Sequence, residues 1–336
     1  MSSSGRKRAT KPRASPKIDY KTWLAGAMSR RTRRCVDVLR GSLRGGGEGG
    51  RRLARRVPGG RRPRLLELFS GTHSIGKVAD ELGFDVVSLD RDLGAECPFG
   101  TGFVAPKHIR ADIMDWDYRQ FPRGYFHVVT ASPVCRVWSQ LRDSWIGRRL
   151  RGMTREFSKA DIRRDIEEEG QPMVDRLLEI MAYFRPNFWW IENPKMSRMK
   201  FYLKDLPHHD VDYCMYSDWG YRKGTRFWTN IPNFEPKTCD GKGTCGNMTV
   251  SDRGRPKHKA TVDGGGKRDG TLATGCKQFC ERYKMPPDLI RDLLLPTLPE
   301  GHRPSTRARR NSNRKKRKSR RRKSNKKIHL ETRTRC

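Results

Sequence analysis

The chain has 336 residues, nine cysteines and a formal net charge of +36, of which residues 1–64 carry +17 and residues 301–336 carry +16. The 236 residues between them carry only +3, which predicts a nearly neutral folded body between two polycationic arms that are too polar to bury a core. No window approaches 18 consecutive apolar residues and no apolar stretch follows the basic N-terminus, so the composition excludes a transmembrane helix and argues against a secretory signal.

Changes in composition divide the chain into five parts. We expect a disordered basic arm at 1–63, a core at 64–232, a small insert containing Gly and Cys at 233–282, a C-terminal core helix at 283–298 and a disordered polybasic tail at 299–336. Positive charge this dense releases counterions from nucleic-acid phosphates, so the arms predict DNA as a partner. The lack of a long apolar window predicts no membrane.

Short apolar runs that end in polar residues alternate with segments of helical spacing in the body. The predicted strands are Arg64–Phe69, Phe84–Leu89, His108–Ala111, Phe126–Ala131, Phe188–Ile191, Val211–Tyr216 and Arg226–Asn230. The predicted helices are Ile75–Leu82 and Pro172–Phe184. This alternation predicts an α/β fold with a doubly wound, mostly parallel sheet, which binds ligands at the carboxyl ends of its strands.

The turn after the first strand has three interpretations. Gly71–Lys77 satisfies GxxxxGK, but Val78 stands where a phosphate-binding loop needs Ser or Thr to hold magnesium. The dinucleotide pattern GxGxxG fails, since His73 stands near the place of its second glycine. S-adenosylmethionine fits better, because Asp90 and Asp112 end the second and third strands, where they suit its ribose hydroxyls and its adenine. A tight structural turn is the remaining alternative.

Four short motifs follow one another in the body. They are Glu67–Thr72 (ELFSGT), Ser132–Ser139 (SPVCRVWS), Glu192–Pro194 (ENP) and Arg222–Trp228 (RKGTRFW). In this order they resemble the cytosine-5 DNA methyltransferases, in particular the short, divergent members of phages and large DNA viruses. The resemblance covers about residues 64–232, with a weaker echo at Tyr283–Leu293. It implies the Rossmann-like fold of the class I S-adenosylmethionine-dependent methyltransferases.

The resemblance also implies roles for the residues that match. Cys135 would be the nucleophile that attacks carbon 6 of a flipped cytosine, Glu192 would hold the ring, and Arg226 would contact the cytosine carbonyl oxygen and brace Glu192. The implied cofactor residues are Phe69, Ser70, Gly71, Thr72, Asp90, Asp112 and Ile113. The implied substrate-binding residues are Pro133, Arg136, Ser139, Asn193 and Arg222. A cation beside the nucleophile, such as Arg136, favours the thiolate form.

The motifs also depart from the family pattern. Val134 replaces the usual Pro before the nucleophile, Arg136 replaces the usual Gln after it, and Gly224 replaces the middle Arg of Gln-x-Arg-x-Arg. Two other functions therefore stay open. One is an amino-nitrogen (N4-cytosine or N6-adenine) DNA methyltransferase, although the second Pro and the aromatic residue of its signature are missing after Ser132-Pro133. The other is a catalytically inactive nucleic-acid-binding protein, and RNA stays open as a substrate.

The cysteines of the insert are weak candidates for a metal site. Cys239 and Cys245 precede a Gly-rich, basic stretch containing His258, and Cys276 and Cys280 follow it. Zinc could bind four cysteines in two clusters, but neither spacing is the usual CxxC, so the sequence by itself favours no metal.

Localisation follows from the same features. Irregularly spaced cysteines do not form a disulfide framework, which favours a reducing compartment. We expect an intracellular protein, and a nuclear one in a eukaryotic host, because the run at 314–323 is typical of import signals. The Arg- and Ser-rich N-terminus leaves an organelle transit peptide open. The sequence does not indicate an oligomeric state.

Overall fold

The computed structural model describes residues 19–44, 62–92, 105, 107–243, 245–262 and 283–299. The helices are α1 (Tyr20–Ala27), α2 (Arg30–Arg44), α3 (Ser74–Glu81), α4 (Lys159–Asp165), α5 (Gln171–Phe184), α6 (Met199–Tyr202) and α7 (Pro287–Leu294). The strands are β1 (Arg64–Leu68), β2 (Asp85–Asp90), β3 (Lys107–Arg110), β4 (Val128–Ala131), β5 (Phe188–Pro194), β6 (His208–Asp212), β7 (Gly224–Thr229), β8 (Met248–Val250) and β9 (Pro256–His258). A π-helical segment at Ile166–Gly170 joins α4 to α5.

Seven strands form one sheet in the order β3-β2-β1-β4-β5-β7-β6. The first five are parallel, and β7 runs antiparallel to both of its neighbours. The predicted mostly parallel sheet is therefore confirmed. Most strand boundaries lie within two residues of the prediction, and two strands differ by three or more. Strand β5 continues through Glu192 to Pro194, and β6 ends at Asp212 because Tyr213–Met215 turn into a short 3₁₀ helix.

Alternate residues of the strands pack into two cores, one on each face of the sheet. Leu66 and Trp189 belong to a cluster with the buried side of α5, which we call the α5 face. Leu65 and Trp190 belong to a cluster with α3 and α7, which we call the α3 face. Successive residues of a strand point to opposite faces, so each strand contributes to both cores. This arrangement is the doubly wound architecture that the sequence predicted.

Residues 20–44 form two helices where the sequence predicted a disordered arm. Leu24, Val36 and Leu39 are buried in the α5-face core, and Arg31 forms an ion pair with Glu179 of α5 at 2.5 Å. The predicted disorder of 1–63 is wrong for this segment. Val36 and Leu39 are three residues apart, which is helical spacing, but the surrounding arginines dominated the charge count.

The remaining terminal predictions lie outside the described residues. Residues 1–18, 45–61 and 300–336 belong to this group, so the polybasic tail, its import signal and the transit peptide stay predictions. Among the described helices, none is both long and apolar enough to cross a membrane.

Candidate active site

The turn after β1 is built from residues in the left-handed region of backbone conformation. Phe69, Gly71 and His73 have φ values of 58°, 48° and 53°. Only glycine adopts such values without steric cost, so contacts must hold the turn. The side-chain oxygen Oδ2 of Asp90 accepts the N–H of Gly71 at 2.8 Å, and Leu89 accepts the N–H of Ser70 at 3.1 Å. The turn therefore closes over the carboxyl end of β2.

Glu67 fixes the helix that follows this turn, a role that the sequence did not assign. Its side chain is buried, and its oxygens accept the N–H of Gly76 at 3.1 Å and the hydroxyl of Ser88 at 2.8 Å. Gly76 lies in the first turn of α3, where unpaired N–H groups favour a carboxylate. Glu67 therefore anchors the start of α3 beneath the turn.

The predicted cofactor residues lie at three neighbouring strand ends and fit a ligand that is rich in polar groups. Ser70 is 6% exposed, and its Oγ has no hydrogen-bond partner within the described part of the chain. Oδ1 of Asp90 accepts the N–H of Asp92 at 3.0 Å, and Oδ1 of Asp112 accepts the N–H of Met114 at 2.9 Å. Each carboxylate oxygen keeps a further lone pair, so both groups can still accept from ligand hydroxyl or amino groups.

Two other predicted cofactor residues have local roles in the structure. Ile113 is buried in the α5-face core, and its carbonyl accepts Nε of Arg176 at 3.2 Å. The hydroxyl groups of Thr72 and Ser74 lie 2.9 Å apart. Both contacts stiffen the loops around the strand ends.

The loop after β4 carries Cys135, which is half-buried. Asn193 of β5 donates its Nδ2 to the carbonyl of Pro133 at 2.9 Å, two residues before the cysteine. On the other side, the backbone N–H of Arg198 donates to Trp138 at 2.8 Å, and its guanidinium donates to the carbonyl of Ser139 at 2.7 Å. The sequence assigned Asn193 to substrate binding, but its visible role is to hold the loop of the predicted nucleophile, residues 132–139, which we call the nucleophile loop.

Two buried arginines brace this loop, and sequence reasoning missed both. Arg198 is 2% exposed and forms an ion pair with Asp143 at 2.6 Å. Arg142 is also buried and forms an ion pair with Asp165 at the end of α4. Buried charges must be paired to be tolerated, so these contacts tie the loop to its surroundings. No pattern in the sequence distinguishes these two arginines from the exposed ones nearby.

Glu192 lies inside β5 and is 8% exposed. The hydroxyl of Tyr213 donates to its Oε1 at 3.4 Å. Burial raises the pKa of Tyr213 well above its ordinary value, with a smaller contribution from the charge of Glu192. The phenol therefore stays protonated at neutral pH and acts as a donor to one oxygen of Glu192.

The expectation that Arg226 braces Glu192 is wrong. In the pairing of β5 with β7, Arg226 lies opposite Asn193, while Glu192 lies opposite Phe227. Opposite residues share a face and successive residues alternate, so the side chains of Arg226 and Glu192 point to opposite faces of the sheet. Arg226 instead donates Nε and Nη2 to the two carboxylate oxygens of Asp210, at 2.7 and 3.0 Å.

The Arg226–Asp210 pair is a structural feature of the β6–β7 edge. Lys195 adds a second cation at 3.3 Å from Asp210. Burial alone would raise the pKa of Asp210, but the hydrogen bonds and charge of Arg226 lower it below its ordinary value. Asp210 is therefore ionised at neutral pH and fully engaged with its cationic neighbours.

The two other predicted substrate-binding arginines also form ion pairs. Arg222 donates Nε and Nη2 to Asp212 at 2.8 and 3.0 Å, and Arg136 lies 2.6 Å from Glu169. More than half of each side chain in the Arg136–Glu169 pair is exposed, so the pair contributes little and reorganises easily. Glu169 nevertheless offsets the positive charge that the sequence placed beside Cys135.

The insert brings together a set of thiol and imidazole groups. The ligand atoms of Cys214, Cys239, Cys245 and His258 all lie within 4.8 Å of one another, and we call this set the Cys₃His cluster. The sequence proposed two of its cysteines, whereas Cys276 and Cys280 lie outside the described residues. Cys214 was missed because it belongs to the core, immediately after β6.

Comparison with known proteins identifies one close relative among the curated sequences. No protein-family model matches the chain. A probable DNA (cytosine-5)-methyltransferase of Frog virus 3 (isolate Goorha) is 43% identical over 235 residues, which is 69% of this chain and 98% of that protein.

Solved structures show weaker similarity. A DNMT2 mutant from Spodoptera frugiperda is 14% identical (TM-score 0.32), Dnmt2 from S. pombe is 13% identical (TM-score 0.33), and the methyltransferase EhMeth from Entamoeba histolytica is 12% identical (TM-score 0.35). The matches cover 53%, 60% and 53% of this chain and only 53%, 59% and 55% of those chains. At these scores the similarity adds nothing to the topology read from the strand pairing.

Proposed function

Since the chain belongs to the DNA (cytosine-5)-methyltransferase family, we propose that it methylates carbon 5 of cytosine in DNA, with Cys135 as the nucleophile and S-adenosylmethionine as the methyl donor. One observation carries the assignment of the nucleophile. Cys135 lies on a braced loop at the carboxyl end of β4, beside the strand that holds the buried Glu192. Ala131 is paired with Ile191, so Glu192 is level with Ser132, three residues before the cysteine.

The chemistry explains why a thiol and a carboxyl group are needed together. Carbon 5 of cytosine is a poor nucleophile until the thiolate of Cys135 adds to carbon 6 and moves electron density into the ring. The carboxyl group of Glu192 donates its proton to ring nitrogen 3, which neutralises the negative charge that the thiolate brings into the ring, and burial strengthens this interaction. The cofactor, when bound, supplies an electrophilic methyl group. Loss of the proton from carbon 5 restores the double bond and releases the thiolate.

The residues at the ends of β1, β2 and β3 suit the cofactor. The unpaired hydroxyl of Ser70 and the remaining lone pairs of Asp90 and Asp112 offer acceptors and a donor within one edge of the sheet. Phe69, Gly71 and Thr72 form the turn that leads into α3. Because Asp90 already holds the Gly71 backbone, its substitution would disturb both the turn and the ligand.

DNA binding is supported by exposed arginines that follow the nucleophile loop in the chain. Arg148, Arg149 and Arg151 are exposed, and none forms an ion pair with another described residue. Arginine side chains in this state are available for phosphate contacts, which add to those expected of the basic arms. The target base must leave the duplex, at a cost of a few kcal/mol that phosphate contacts help to offset.

The DNA contact can be tested with a matched pair of variants. Replacing Arg148, Arg149 and Arg151 by Ala should weaken duplex binding and reduce the slope of log affinity against log salt by up to about 3. The control is Arg123→Ala with Arg185→Ala. These exposed arginines precede β4 and β5, so they lie at the amino ends of the strands, opposite the proposed site. An equal change in salt slope per arginine removed in the two variants would refute this surface.

The reaction itself is tested in a host that lacks DNA methylation. We expect the wild type and Cys35→Ser to produce 5-methylcytosine in host DNA, measured by mass spectrometry, and Cys135→Ser to produce none. Cys35 is a suitable control because it is a half-buried cysteine on α2 to which the proposed reaction assigns no role. The same proteins should be assayed on duplex DNA and on RNA of the same sequence.

The remaining outcomes discriminate between the alternatives. N4-methylcytosine or N6-methyladenine that survives Cys135→Ser would show an amino-nitrogen methyltransferase. DNA binding without any methylated base from the wild type would show an inactive member of the family. Methylation of RNA but not of DNA would correct the substrate.

A further inference from the structure

We propose that the Cys₃His cluster binds one structural zinc ion that fastens the insert to the methyltransferase core. The cluster joins distant parts of the chain. Cys214 lies in the 3₁₀ turn after β6, Cys239 and Cys245 lie in the loop before β8, and His258 ends β9. A cross-link at this point therefore connects the main sheet to the small β8–β9 sheet.

The geometry matches the edges of a zinc tetrahedron. Bond lengths of about 2.3 Å for Zn–S and about 2.0–2.1 Å for Zn–N place S and N about 3.6 Å apart in a tetrahedral site. Nε2 of His258 lies 3.6 Å from Sγ of Cys239 and 3.5 Å from Sγ of Cys245. The widest separation within the cluster is below 4.8 Å, against an ideal S–S edge of about 3.8 Å, so binding requires a contraction of about 1 Å at most.

A backbone N–H points at the sulfur of Cys239. The N–H of Gly241 donates to its Sγ at 3.4 Å, a supporting contact of the kind that orients a metal ligand. Gly241 has a φ of 75°, a value that favours glycine, so the backbone turns towards the sulfur without strain. The backbone N–H of Cys239 donates to Asp212 at 2.8 Å, and Asp212 also pairs with Arg222. Asp212 thus links Cys239 of the cluster to Arg222, which precedes β7.

Asn247 connects the chain segments that carry the ligands of the cluster. Asn247 is buried, and its Nδ2 donates to the carbonyls of Cys214 and Ser217, both at 2.8 Å. Its Oδ1 accepts the N–H of Gly220 at 3.1 Å. The segment after Cys245 is therefore attached to the segment after Cys214 through one amide side chain. Supporting contacts of this kind orient the ligands of a metal site.

The donor set selects the metal and the role. Three thiolates and one imidazole are soft and borderline ligands that suit Zn²⁺, and four protein ligands leave no open position for a substrate. The site is therefore structural, not catalytic. The insert is short and poor in apolar residues, and a metal cross-link supplies the rigidity that a small core cannot.

Metal content tests the proposal directly. The full chain should be purified without a polyhistidine tag and analysed by inductively coupled plasma mass spectrometry. We expect about one zinc per chain in the wild type and in Cys35→Ser. Loss of a hydrogen bond that supports a metal ligand weakens metal binding by about 10–100-fold. His258→Ala and Cys245→Ser each remove a ligand itself, so they should weaken the binding of added Zn²⁺ by more than about 100-fold. His258→Cys keeps four ligands and should retain the metal.

Cobalt substitution gives a readout that does not depend on the folding of variants. The wild type, stripped with a chelator and refilled with Co²⁺, should show intense visible absorption of a tetrahedral site with thiolate-to-metal charge transfer. Removal of the metal should also increase proteolysis between 240 and 262. The proposal is overturned by a wild type that neither contains nor binds Zn²⁺, by zinc content unchanged in His258→Ala and Cys245→Ser, or by a disulfide within the cluster.

Discussion

Arg226 and Glu192 lie on opposite faces of the pair formed by β5 and β7, so the arginine that the family pattern retains cannot brace the carboxyl group of Glu192. The arginine shares its face with Asn193 and Asp210, and it holds the last strand of the sheet through a bidentate ion pair. Glu192 receives its hydrogen bond from Tyr213 instead. Position in a motif therefore does not determine which face a side chain occupies.

Arg226→Ala should reduce stability more than it reduces catalysis. Hydrogen bonds to charged groups contribute about 1.5–3 kcal/mol, and we expect a loss of about 2 kcal/mol in the free energy of unfolding by urea denaturation. Asp210→Ala should cost a similar amount, and the double variant should cost less than the sum of the two. A large fall in kcat with unchanged stability would instead restore a catalytic role for Arg226.

Asn193→Ala should slow the reaction by releasing the nucleophile loop. The hydrogen bond to Pro133 is lost, and a displacement of about 1 Å at a reacting group costs about 100-fold in rate. We expect kcat to fall 10- to 100-fold. Asn187→Ala is the control. Its amide contacts His127 at 3.0 Å, and both residues precede their strands, so this contact lies at the amino ends of β4 and β5. Equal rates in the two variants would contradict this role.

Gly170→Ala should disturb the nucleophile loop by crowding two of its side chains. An added Cβ would lie 2.9 Å from the Trp138 ring and 3.0 Å from Val137, both within the nucleophile loop. Overpacking of this kind costs about 1–3 kcal/mol. Gly41→Ala in α2 meets nothing within 4 Å and should stabilise the protein by up to about 1 kcal/mol. Thermal unfolding measures both, and a gain in stability for Gly170→Ala would show that Trp138 moves without cost.

Leu39→Ala tests whether α2 belongs to the folded core. Leu39 is buried in the α5-face core, so the truncation should lower the free energy of unfolding by about 2–5 kcal/mol. The adjacent exposed residue provides a control, since Arg40→Ala should change stability by less than about 0.5 kcal/mol. Similar effects in the two variants would support the disordered arm that the sequence suggested.

Asp161→Asn should make stability depend less on pH. Asp161 is buried at the start of α4, and hydrogen bonds from Arg155, at 2.5 and 2.7 Å, lower the pKa of its carboxyl below the ordinary value. A lowered pKa stabilises the fold above the unfolded pKa of about 3.9, and the contribution is lost as the pH falls towards the folded pKa.

The pH test compares unfolding of the wild type and of Asp161→Asn. We expect a difference of about 2 kcal/mol that is constant above about pH 5 and shrinks below about pH 4. Asp85→Asn is the control, because the carboxylate of Asp85 is exposed and lies 3.9 Å from its arginine partner. A difference that is independent of pH down to pH 2 would contradict the assignment.

The sheet and the strand ends could be predicted because their signals are local. Apolar runs such as Phe188–Ile191 end in polar residues, and this pattern predicts a buried strand whatever surrounds it. The N-terminal helices were missed because their apolar residues are sparse. Leu24, Val36 and Leu39 are few and lie among arginines, so average composition concealed a narrow apolar stripe.

The sequence by itself determined the family, the order of the strands in the chain and the loop on which Cys135 lies, since each depends on residues that are neighbours in the chain. Only the tertiary structure decided that Arg226 faces Asp210, that Asn193 holds Pro133 and that Cys214 joins His258. Register between antiparallel strands sets the face of every side chain, and a shift by one residue reverses it. Contacts between distant segments depend on that register, which no local pattern encodes.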